Sequence, residues 1–155
     1  MTTPSADPAA DNPATDATER SSEYFDAGLN CSESVLRAVN DAYDLGLPPS
    51  AYGIATPFGG GFGGARSTCG ALTGGLMALG LAHGRSGPSQ SAQPGSMAGR
   101  ALHDRFLAQF QSVSCRELTA GFDWDKPERR QACQAYVRFA AQAVASILEA
   151  PPAAE

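Results

Sequence analysis

With 155 residues, 43% of them apolar and 17% charged, the chain suits one compact domain and is too short for two large ones. Eleven basic against sixteen acidic residues give a net charge of -5, and Lys126 is the one lysine among the basic residues. That balance excludes the basic surface of a nucleic-acid binder.

The first stretch, Met1 to Glu19, carries Asp7, Asp11, Asp16 and Glu19 with no Lys or Arg, and Pro4, Pro8 and Pro13 among Ala, Thr and Ser. With no aromatic or branched apolar anchor, a disordered acidic tail over residues 1–20 is expected. The tail has neither the basic start and apolar stretch of a secretory signal nor the Arg enrichment of a transit peptide, which points to a cytoplasmic protein.

Ser21 to Ala27 predicts a helical turn that Gly28 ends in a left-handed conformation. Asn30 and Glu33 have the spacing of a capping box, and Cys31, Val35, Ala38, Val39 and Ala42 follow at helical intervals. Cys31 therefore opens a helix and faces inward. Prolines at 48, 49 and 57 allow only a short helix before the ordered loop FGGGFGG at Phe58–Gly64. Ser67 or Thr68 is placed to cap the next helix, starting at Cys69 and stopped by Gly84. Within it, Gly70 with Gly74 and Ala71 with Gly75 form small-residue faces that admit another backbone, from this chain or from a second copy in a homodimer. Its 18 uncharged residues between Arg66 and Arg85 are diluted by glycine and hydroxyl side chains, so a buried core helix is expected rather than a membrane span.

After a polar connection from Gly84 to Gly95, Met97 to Phe110 resumes the helical period through Leu102, Phe106 and Phe110. Ser114 and Glu117 repeat the capping signature and place Cys115 first in a short helix ending near Gly121. Pro127 suits the first turn of the last helix, whose apolar stripe runs from Cys133 through Tyr136, Val137, Ala140, Val144, Ile147 and Leu148. No segment alternates as a strand does. The chain thus reads as all-α, a single compact bundle of four to six helices over residues 21–149, with residues 150–155 frayed.

Four cysteines, Cys31, Cys69, Cys115 and Cys133, are spread along the chain without a CxxC pair. In a reducing compartment such spacing points to metal binding, thiol chemistry or plain burial. A thiol in the first turn of a helix faces unpaired N–H groups and the positive end of the dipole, which favour thiolate; Cys31, Cys69 and Cys115 share that placement. Were they to meet Cys133, the four would suit ligation of a metal or cluster, or attack on a disulfide. Cys133 alone reads rather as packing. The glycine loop, through Gly59, Gly60 and Gly61 with Gly70, offers backbone donors to a thiolate or inorganic sulfide, or else a tight crossing that tolerates no side chain. Arg66 and Arg116 adjoin cysteines; His83 and His103 read as solvated, and Asp123, Trp124 and Asp125 as a capping turn.

Taken together, Asn30-Cys31-Ser32-Glu33, the run from FGGG to Cys69-Gly70-Ala71-Leu72-Thr73-Gly74, Cys115-Arg116-Glu117-Leu118 and Cys133 resemble the C_GCAxxG_C_C family of redox-active proteins. The likeness spans Ser21 to Leu148, although this chain reads Cys-Gly-Ala where the family label has Gly-Cys-Ala, and Val113-Ser114 where the family often has a Gly. The resemblance implies a small helical redox protein that works with a redox partner or an associated transporter or oxidoreductase system. It assigns the four cysteines to the site. Their pattern is also similar to the iron-sulfur part of split-Soret cytochromes, which implies an iron-sulfur cluster or another thiolate-bound metal, with a metal-free dithiol-disulfide cycle as the alternative. With no CxxCH, no c-type haem is attached.

Overall fold

The computed structural model describes residues 12–150. Among the described residues seven α-helices, five of them long, wrap one core: α1 (Pro13–Asp26), α2 (Cys31–Tyr43), α3 (Gly59–Phe62), α4 (Gly70–His83), α5 (Gln93–Phe110), α6 (Cys115–Leu118) and α7 (Pro127–Glu149). A 3-10 segment, Pro49–Phe58, joins α2 to α3. No helix among the described residues is long and apolar enough to cross a membrane.

The first helix corrects the expected tail. Asn12 caps it by accepting a hydrogen bond from the Ala14 N–H at 3.0 Å, and Pro13 occupies its first position. Ala17, Ser21 and Phe25 recur every four residues and are buried, so a narrow stripe of small side chains seats the helix. Asp16 pairs with Arg20 one turn on, and Glu19 with Arg138 of α7. The acidic composition of residues 13–20 belongs to one polar helix face; the expectations for residues 1–11 and 151–155 lie outside the described residues.

Helix α2 starts as its sequence predicts. Asn30 accepts from the Glu33 N–H while the Glu33 carboxylate accepts from the Asn30 N–H, a complete capping box. Its Val35, Leu36 and Val39 meet Leu72 and Leu79 of α4, Leu102 and Phe106 of α5 and Val137 and Val144 of α7 in the core. Burial of each such side chain contributes about 1.5–3 kcal/mol.

The small-residue face of α4 is consumed inside the chain. A Cβ on Gly74 would lie 2.4 Å from the Ser32 carbonyl oxygen, and one on Gly75 would lie 2.8 Å from Leu102. The closeness offered by sequence to a second copy therefore brings α4 onto the first turn of α2. That contact sets Cys31 beside the start of α4.

Candidate functional site

Each cysteine is positioned by a different local device. Cys31 is the first residue of α2, behind the Asn30 cap. Cys69 is itself the cap residue of α4, which starts at Gly70; this corrects the capping role expected of Ser67 or Thr68. Those two residues instead run antiparallel to the segment before α6. The Cys69 N–H donates to the Val113 carbonyl (2.8 Å), the Cys115 N–H to Ser67 (2.6 Å) and the Arg116 N–H to Arg66 (3.0 Å), around a single Thr68–Ser114 bridge. This lacing holds Cys69 and Cys115 side by side although 46 positions separate them in sequence.

Cys115 opens α6, capped by Ser114. The reciprocal half of the expected capping box is rerouted: Ser112 accepts from the Ser114 N–H and donates to the Glu117 carboxylate. Cys133 lies in the second turn of α7 and is half-buried.

The glycine loop is first a tight crossing. Gly60 and Gly61 have left-handed φ of 66° and 69° inside α3. A Cβ on Gly59 would strike the Asn30 side chain at 2.3 Å, and one on Gly61 would meet the Ser67 nitrogen at 2.5 Å and the Cys115 Cβ at 2.8 Å. Gly70 is bare for a related reason, since its Cβ would fall 2.4 Å from the Cys31 sulfur. Bare backbone at these points lets the cysteine-bearing segments close on one another.

All four cysteines line one cavity of about 290 Å³. Gly59, Gly60, Gly64 and Gly70 form part of its wall; Gly61, although singled out with them in sequence, packs behind Cys115. Phe25 and Tyr136 supply apolar lining, and Tyr136 donates to the Leu118 carbonyl at 2.8 Å. The only charged lining residues are Arg129 and Arg130, with no carboxylate among them. Among the described residues neither arginine forms an ion pair, nor does Arg66.

Burial outweighs the helix starts in setting the thiol chemistry. It pushes the Cys133 thiol up to about 11, helped by Cys31 and opposed by Arg129 and Arg130. It also raises Cys115, where Cys31 adds to the effect and Arg129 and Arg66 oppose it. Cys69 is raised furthest by burial and by Cys31, against the N–H groups of Ala71 and Leu72, with which it makes no capping hydrogen bond. The depression expected at Cys69 and Cys115 is thus corrected: the dipole of a helix start is too weak to compensate for lost water.

Sequence reasoning missed Arg129, Arg130 and Trp124 as site residues. Arg129 and Arg130 precede Cys133 by four and three positions, which on one helix puts them on its face, so spacing alone carried the signal. Trp124, read from sequence as part of a capping turn, lines the cavity against Gly60, with the Arg66 and Arg129 guanidiniums 4.3 and 4.1 Å from its ring centre. Arg116 is exposed and does not line the cavity. His103 bonds Asp104 at 2.9 Å on the surface, and neither histidine reaches the site.

Across the described residues, no three His, Cys, Asp or Glu stand close enough to hold a single metal ion. A family model described as "Putative redox-active protein (C_GCAxxG_C_C)" matches residues 29–147, from just before the Asn30 cap to near the end of α7. No curated protein and no solved structure matches the chain.

Proposed function

The chain belongs to the C_GCAxxG_C_C family of redox-active proteins, and from that premise we propose that its four cysteines ligate an iron-sulfur cluster, or a comparable thiophilic metal group, for electron transfer or redox sensing. The observation that carries this reading is the shared cavity: Cys31, Cys69, Cys115 and Cys133 all face one space of about 290 Å³. A single tetrahedral ion needs its sulfurs about 2.3 Å from the metal, hence roughly 3.8 Å from each other, and would leave no such space. The spread of the cysteines suits a group that carries its own sulfide between them.

The fit extends to charge. Thiolates around a cluster make an anionic site, and the wall offers Arg129 and Arg130 with no competing carboxylate. Cys31 and Cys115 would be held at capped helix starts and Cys69 at the start of α4, with Cys133 completing the set from α7. Gly59, Gly60 and Gly70 would let the bound group approach the backbone closely, and a cluster would supply one-electron chemistry. A redox partner, protein or transporter-linked, would exchange the electron.

The alternative is a metal-free cycle between dithiol and disulfide. Its support is Cys31, half-exposed, free, and the neighbour whose charge most raises each of the other three thiols. The two readings part on one preparation. Purified without air, a cluster protein is brown, holds stoichiometric iron and acid-labile sulfide, and loses both in Cys69→Ser. A colourless chain free of metal, with titratable thiols, overturns the cluster reading in favour of the disulfide one.

A further inference from the structure

Among the charged side chains around the cysteines, Arg129 is held in an unusual way. Its Nε donates to the Trp124 carbonyl at 3.0 Å, and its guanidinium stacks 4.1 Å from the centre of the Trp124 ring. Arg66 lies 4.3 Å from the same ring centre, so one indole carries two guanidiniums. Arg66 occupies a left-handed conformation (φ 60°) pinned by its N–H to the Gly60 carbonyl and by its carbonyl to the Arg116 N–H. Such a conformation is costly for a residue with a side chain, and here the antiparallel lacing imposes it.

Arg130 differs. It donates to the Phe25 and Leu29 carbonyls and stacks on the Phe25 ring, so its cation is occupied in tying α7 to the end of α1. Arg129 keeps its two terminal nitrogens free of hydrogen bonds to the described residues, lines the cavity, and has no carboxylate partner. The acidic residues nearest in sequence are turned to local work or to solvent: Asp123 accepts from the Asp125 N–H, and Asp125 and Glu128 are exposed.

We propose that Arg129, clamped in place by Trp124, is a positioning residue that sets the reduction potential of the four-cysteine site. The inference rests on the cluster reading above. Reduction adds an electron to an already anionic group, and a fixed cation in a partly buried wall stabilises that form more than a solvated one does. Arg129 and Cys133 line the same cavity one helical turn apart, whereas Arg116, adjacent to Cys115 in sequence, is exposed and lies outside it.

Two measurements on the full chain test this. In the anaerobically purified protein, Arg129→Gln lowers the midpoint potential, read by visible absorption during redox titration. The expected loss is on the order of tenfold in the equilibrium constant for reduction, about 59 mV for a one-electron couple. Trp124→Leu, which removes the stacking but leaves the Nε bond to the backbone carbonyl, shifts the potential the same way by a smaller amount; Arg129→Lys restores most of it, and Arg116→Gln leaves it unchanged. The second measurement needs no metal: Trp124 is the only tryptophan, and its fluorescence in the wild type is quenched by iodide more than by neutral acrylamide. That excess falls in Arg129→Gln. An unchanged potential in an Arg129→Gln protein that keeps its iron and sulfide overturns the inference. An unchanged iodide excess overturns the charge arrangement beneath it. A chain that binds no metal defeats the cluster reading first and this inference with it, an outcome that metal analysis tells apart from the other two.

Discussion

Alanine placed at Gly74 and at Gly80, two glycines of the same helix, should move stability in opposite directions. Both lie within α4 with ordinary helical backbone, so helix propensity alone predicts a gain of about 0.8–1.0 kcal/mol at each. At Gly80 nothing stands within 4 Å of the new methyl and the residue is exposed, so the gain is realised. At Gly74 the methyl would sit 2.4 Å from the Ser32 carbonyl oxygen and 2.8 Å from its Cα, where ordinary contact begins near 3.4 Å. The obstacle is backbone and cannot rotate away, so α4 must retreat from α2 by about 1 Å. Overpacking of this kind costs typically 1–3 kcal/mol, and the retreat also loosens the seat of Cys31. Gly74→Ala is therefore expected to be net destabilising by up to about 2 kcal/mol and Gly80→Ala stabilising by just under 1 kcal/mol. Urea unfolding of the reduced, metal-free proteins, followed by far-UV circular dichroism, measures both; in a chain of 155 residues each kcal/mol moves the melting temperature by about 2–4 °C. A Gly74→Ala protein as stable as Gly80→Ala would refute the close approach of α4 to α2.

Gly70→Ala carries its methyl to 2.4 Å from the movable Cys31 sulfur and to 3.0 Å from the Phe58 carbonyl oxygen, so a stability loss of about 1 kcal/mol by urea unfolding is expected while iron and sulfide per chain fall well below wild type. Asn30→Ala removes the acceptor of the Glu33 N–H and the donor to the Thr56 carbonyl; a stability loss of about 1–2 kcal/mol is expected by urea unfolding. The metal-free chain should weaken in alkali. The Cys133 thiol titrates near 9 unfolded and about 11 folded, so the folded state holds its proton longer; stability is full below pH 9 and declines as pH rises through 11. The two-unit difference sets an upper bound of about 2.7 kcal/mol for this half-buried group, and Cys133→Ala should flatten that part of a pH series of urea midpoints.

The parts of the fold legible in sequence were those governed by local rules. Asn30 and Glu33 marked a helix start because a capping box is settled within four residues, and the apolar period of α7 survived because a long helix repeats its signal many times. Of helix α1 only the last turns, from Ser21 to the left-handed Gly28, were legible; its first half was not, since Ala17 and Ser21 bury a stripe too small and too polar to register as apolar periodicity, and only the packing against α2 and α7 makes it one. The start of α4 was misjudged by one residue, because Ser67 and Thr68 were claimed by an antiparallel pairing to a segment more than 40 positions away. The cysteines were legible as a set, whereas their thiol chemistry was not. Helix-start placement is a sequence property, but burial is a tertiary one, and it decided the direction of the shift.

That reversal bears on what the site is built for. A redox enzyme that attacks disulfides needs a thiolate at neutral pH, and a fold selected for that attack keeps its thiol near water or beside a strong cation. Here Cys69 is pushed up by burial against the Ala71 and Leu72 N–H groups, Cys133 is pushed up to about 11 against Arg129 and Arg130, and neither shift is reversed. Under the cluster reading the same features are consistent: the four cysteines would hold the group as thiolates, their protons would leave on loading, and Arg129 would balance part of the remaining charge. Loading should then release protons and stabilise the fold, because the bound group favours the folded chain over the unfolded one. Cluster reconstitution in weakly buffered solution should acidify the medium, and the loaded protein should melt above its metal-free form. Proton release without any gain in melting temperature would mean that the thiols bind metal somewhere other than in the folded cavity.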